Sequence, residues 1–107
     1  MIYLAAPYSH TNSTVREERM AKLYEYDATL VRNGKFTVSP LYKVEMCKQN
    51  TVPDDWEYWK QYSYELLSRC DSMHVLMLDG WQQSSGVVAE IEYCKDNEIP
   101  IEYINIS

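Results

Sequence analysis

Apolar residues along this chain come in short bursts whose period alternates. "IYLAAP", residues 2–7, is a continuous apolar run ending at Pro7, with the length and flanks of a buried strand. Ser, Thr and Asn at positions 11 to 14 offer helix N-caps, and Met20, Tyr24, Ala28 and Val31 then recur at helical spacing. Gly34 sits where a C-terminal stop belongs. "KFTVSP" reads as a second strand, ended by Pro40. Residues 41–52 carry the weakest pattern, and "LYKVEMCKQ" within them suits a short helix. Pro53 fits the first turn of a further helix, with Asp54 and Asp55 complementing its dipole. Trp56, Trp59, Ser63, Leu66 and Leu67 form the inward stripe of that helix. "SMHVLML" is nearly all apolar and reads as a central strand. "SSGVVAEIEYCKDNE" is the last helix, and "IPIEYINI" the last strand.

This order predicts an α/β fold: a flavodoxin- or Rossmann-like three-layer sandwich over residues 1–107, with a parallel sheet of about four strands in the order 2-1-3-4. Ligands of such sheets bind at the carboxyl ends of the strands, at the switch point between the first and third. "APYSH" and "DGWQQSSG" then form the two lips of one crevice.

Composition narrows what the crevice can hold. A chain of 107 residues suits one compact domain. With 3 Gly and 4 Pro, disorder and fibrous structure are disfavoured. No apolar run is long enough to span a membrane, and the N-terminus lacks the basic and apolar regions of a signal peptide. The net charge of −6 argues against a nucleic-acid polymer as partner, yet leaves room for a small phosphorylated ligand held by local dipoles. Cys47, Cys70 and Cys94 are odd in number and far apart, which points to a reducing cytoplasm. His10 and His74 have no ligand-like spacing with them, so neither a zinc site nor any cofactor is expected.

Ser84 is positioned as the N-cap of the last helix, followed by Ser85 and Gly86. Free N–H groups there would stabilise a phosphate or carboxylate, although an N-cap serine also occurs without any ligand. Glu90 lies four residues past Gly86 on the same face, and a bare Gly beneath it leaves room for a ligand. A carboxylate beside a sugar can attack the anomeric carbon or stabilise an oxocarbenium-like transition state; the plain alternative is a solvated helix Glu. Tyr3, second in its strand, has a hydroxyl able to orient such a carboxylate, or it is a core Tyr. Trp81 would stack on a base or sugar, or lie as a lid over the sheet edge.

Together these stretches resemble the nucleoside 2-deoxyribosyltransferase family and its nucleotide N-glycosidase relatives. "IYLAAPYS" is similar to the family's opening strand and loop, "RCDSMHVLML" to its central strand, and "SSGVVAEIEYC" to its nucleophile motif. "GW" ahead of the Ser resembles a compact, phage-type subgroup. The resemblance implies that Glu90 is the catalytic carboxylate and Tyr3 the residue bonded to it. It implies that Ser84, with Ser85 and Gly86, holds a 5′-phosphate, and that Pro7, Tyr8, Ser9 and Trp81 contact substrate. The family places an acid where this chain has Ser63, so Tyr62, Asp79 or a water would have to substitute. Glu65 points about 200° away on an ideal helix. The expected activity is cleavage or transfer of the N-glycosidic bond of a (deoxy)nucleoside 5′-monophosphate or nucleoside. The alternatives are a non-catalytic module that binds or sequesters a nucleotide, and an interaction protein with an incidental pocket. The family's sites lie between subunits, and ten Tyr and three Trp suggest aromatic surface to bury, so a homo-oligomer, a dimer at least, is expected.

Overall fold

A computed structural model describes residues 1–106. Strand β1 (Ile2–Ala5) is followed by helix α1 (Ser13–Arg32), strand β2 (Thr37–Val38) and a 3-10 turn at Pro40–Lys43. Helices α2 (Val44–Asn50) and α3 (Trp56–Leu67) come next. Strand β3 (Ser72–Leu76), a 3-10 turn at Trp81–Gln83, helix α4 (Ser85–Asp96) and strand β4 (Ile101–Ile104) complete the chain. The four strands form one parallel sheet in the order β2-β1-β3-β4, the predicted arrangement.

Alternation along the strands divides the core into two layers. Tyr3, Ala5, Met73 and Val75 point to one face, where they meet Leu67 of α3 and Val87 and Cys94 of α4. Leu4, Ala6 and Leu76 point to the other face, against Leu23 of α1. Register fixes the pairing: Tyr3 lies opposite Met73 and Leu4 opposite His74. Complete burial of a side chain such as Leu23 stabilises the fold by roughly 2 kcal/mol. His74 is the buried polar residue of β3. Its Nδ1 is 2.7 Å from the Tyr26 hydroxyl and its Nε2 2.7 Å from Glu102. Burial holds the His74 pKa below its ordinary value, and Glu102 opposes that shift.

Local signals set the helix ends. Asn12 caps α1, its side chain accepting from the Thr14 N–H at 2.8 Å. The chain leaves α1 through Gly34 at φ 78°, the left-handed conformation glycine tolerates, as the sequence predicts.

Three details differ from expectation. The buried line of α1 is Met20, Leu23, Tyr26 and Leu30, so its phase is shifted, and Tyr24 and Val31 are 54% and 56% exposed. Two apolar stripes overlap on this helix, and sheet packing selects the one that carries Leu23 and Leu30. Strand β2 has two residues rather than the whole of "KFTVSP", and Phe36 before it is 77% exposed. Pro53 precedes α3 instead of sitting in its first turn, because Asp55 is the N-cap and accepts from the Tyr58 N–H at 3.3 Å. The Pro53 carbonyl accepts from the Trp59 indole N–H at 2.6 Å, which ties the approach segment to the helix. Among the described residues, no helix is long and apolar enough to cross a membrane.

Candidate functional site

A cleft of ≈ 120 Å³ opens at the carboxyl end of β1, between the segment that follows β2 and the start of α4, on the strand-end side of the sheet where doubly wound folds bind ligands. The β1 end contributes Ala6, Tyr8 and Ser9. Ser84, Gly86, Val87 and Glu90 line it from α4. Trp56, Trp59 and Ser63 line it from α3, with Asp54 just before that helix. Ser39, Leu41, Lys43 and Cys47 form the remaining wall.

Glu90 is the chemical centre of this cleft. It is only 6% exposed, yet it lines the cavity, and its carboxylate accepts a hydrogen bond from the Tyr3 hydroxyl. Tyr3 is fully buried behind it on β1, next to the switch point. Burial raises the Glu90 pKa from the ordinary 4.5 to about 7, while the Tyr3 hydrogen bond pulls it down. The Tyr3 phenol is held well above its usual range, first by burial and then by the Glu90 charge. The nearby Ser63 hydroxyl, itself 1% exposed, opposes that shift. Tyr3 and Glu90 thus form a buried polar pair, with Ser63 beside them. A carboxyl with a pKa near neutrality in a cleft is suited to act as base or nucleophile, and its perturbation marks a candidate functional residue.

Ser84 caps α4, its hydroxyl accepting from the Val87 N–H at 3.3 Å, and it also lines the cleft. Ser85 is exposed and Pro7 fully buried, and neither lines the cavity. Asp79 is exposed outside the cleft, with its carbonyl accepting from Arg19 at 2.9 Å. Tyr62 is 41% exposed and packs edge-on to Trp59, with ring centroids 4.7 Å apart. Neither brings a proton donor to the cavity.

Two expectations are corrected. Trp81 does not face the cleft; it packs on the core cluster and tilts against Tyr103, with centroids 5.7 Å apart. Gly80 at φ 85° turns the chain there, so Trp81 covers the β4 side of the sheet. Gly86 lines the cleft, but Trp56 limits the room above it, because a Cβ built there would meet Trp56 Cε3 at 3.3 Å. The glycine admits the Trp56 ring to the helix. Gly86→Ala is therefore expected to change the melting temperature little. A helix-propensity gain of up to about 1 kcal/mol is offset by displacement of the ring. Tryptophan emission should shift as Trp56 moves; full stabilisation with unchanged emission would contradict this packing.

Trp56, Trp59, Asp54 and Lys43 also line the site, beyond the residues that sequence points to. The signal lay in the α3 stripe: the face that carries Ser63 inward also carries both tryptophans. Asp54 was hidden beside Asp55, and only the second of the two is used as the cap. Lys43 and Asp54 line the same cleft, and the structure shows no ion pair between them. No group of three metal-ligating side chains occurs among the described residues.

Fold and site together define a doubly wound α/β domain with a buried, tyrosine-bonded glutamate at its switch-point cleft. The chain belongs to the family described as Domain of unknown function (DUF1937), whose model matches residues 1–105. No curated protein matches it.

Proposed function

We propose that this cleft breaks the N-glycosidic bond of a (deoxy)nucleoside 5′-monophosphate or nucleoside, by hydrolysis or by transfer to a second base. The observation that carries the reading is the buried Glu90 carboxyl, opening onto the cleft with its pKa raised to about 7. The resemblance of "IYLAAPYS" and "SSGVVAEIEYC" to nucleoside 2-deoxyribosyltransferases points the same way.

In this proposal the ionised Glu90 attacks the anomeric carbon. The C–N bond breaks, its electron pair passes to the base, and a proton reaches the base from Asp54 or a water. Water, which passes a proton back to Asp54 or to solvent, or another base then displaces Glu90 from the anomeric carbon and restores the carboxylate. Tyr3 orients Glu90. Ser84 and the amide end of α4 hold the 5′-phosphate, and Trp56 and Trp59 pack against the base. The protein acts in the cytoplasm as a homo-oligomer that buries part of its exposed aromatic surface.

Incubation with a panel of nucleosides and their 5′-monophosphates, read by chromatography, tests the reading. Free base should accumulate, and faster from the monophosphate than from its nucleoside. No free base from any of them would overturn it. Ser63, where the nucleoside 2-deoxyribosyltransferases that the sequence resembles have an acid, favours a second reading in which a nucleotide is bound and not cleaved. Binding without base release would select that reading.

A further inference from the structure

A second cleft, of ≈ 340 Å³, lies between the start of α1 and the turn leading into α2. Tyr8, Leu41 and Val44 line both clefts, so the two abut across these three side chains. The second contains a flat aromatic platform: Tyr24 and Tyr42 stack with centroids 5.5 Å apart and planes at 13°. Tyr24 is 54% exposed, and neither ring serves the core clusters. Arg16 and Lys48 supply positive charge, and Glu17 and Glu45 supply acceptors. Arg16 uses one guanidinium nitrogen on the His10 carbonyl, and Lys48 lies 3.6 Å from Glu45. A stacking surface, two cations and two carboxylates suit the base, phosphate and ribose hydroxyls of a nucleotide.

We infer that the two clefts form one trough for a dinucleotide-class ligand, two nucleotides joined through their phosphates, with Tyr8 beneath the junction. One half occupies the Glu90 cleft, and the inference rests to that extent on the nucleotide reading above. The other half lies on the Tyr24–Tyr42 platform with its phosphate towards Arg16 and Lys48. Linking the halves makes the second binding event intramolecular, so the whole binds more tightly than either part.

Calorimetry on the full chain tests this, with Glu90→Gln present so that no probe is consumed. The probes are nicotinamide adenine dinucleotide, diadenosine diphosphate and the mononucleotides that compose them. At least one dinucleotide should bind one per chain, tenfold or more tighter than its component mononucleotides. Tyr24→Ala and Lys48→Glu, both outside the Glu90 cleft, should each remove that excess and leave mononucleotide affinity unchanged. Equal affinities would overturn the inference, as would two mononucleotides binding per chain without dinucleotide preference, or variants that weaken both ligand types alike. Base release by the wild-type chain without dinucleotide preference sinks this inference alone. Dinucleotide preference without base release sinks the glycosidase reading alone.

Discussion

Glu90→Gln is expected to abolish release of free base while nucleotide binding survives. Glutamine has the shape of glutamate, and its carbonyl still accepts from the Tyr3 hydroxyl that contacts residue 90. It lacks the charge needed to attack the sugar or to stabilise a developing oxocarbenium ion. Loss of a nucleophile lowers turnover by on the order of 10³-fold or more. Chromatography gives the rate and calorimetry the affinity. Turnover retained within tenfold would remove Glu90 from the chemistry. Unfolding does not explain the expected loss, because a neutral amide at a site only 6% exposed avoids the cost of burying a charge.

The same carboxyl should make stability depend on pH in an unusual direction. Below about 4.5 the group is protonated in both folded and unfolded chains, and it contributes no difference. As pH rises from 4.5 towards 7, the unfolded chain releases this proton while the folded chain keeps it, so stability falls. Above about 7 both states are ionised and the loss levels off. The total is roughly 3 kcal/mol, a large share of the 5–15 kcal/mol typical of a domain. Denaturant unfolding of wild type and Glu90→Gln between pH 4 and 8 checks it, since other titrating groups cancel in the difference. Wild type should lose ground to the variant as pH increases. A flat difference would mean that residue 90 ionises as easily inside the fold as outside it.

The parts of the molecule that sequence made legible are those with a single dominant signal. The apolar runs of β1 and β3 and the Ser84 cap of α4 have few alternative readings, and they place Glu90 on the cavity with Tyr3 buried behind it. The phase of α1 was not legible because tyrosine counts as apolar in a periodicity, although Tyr24 carries a polar tip and stays at the surface. The wall built by Ser39, Leu41, Lys43 and Cys47 lies mostly in the stretch without clear period. Its 3-10 turn and short α2 depend on docking rather than on an amphipathic repeat. Trp81 and Trp56 exchanged expected roles for a related reason. A loop tryptophan looks available in sequence, but one turn at Gly80 sends it to the core, while glycine 86 draws a helix tryptophan to the cavity edge.

Ser84 and Glu90 belong to one helix, the first at its cap and the second further along the same rigid rod. Their separation along the axis is set by a rise of about 1.5 Å per residue and does not change with loop motion. The helix therefore works as a ruler: an anionic group resting on its end fixes how far away the atom that meets the carboxylate must be. On the proposed function, ligands are sorted by reach: moving the phosphate to another position of the sugar is expected to misplace the scissile bond even if every contact with the base is kept.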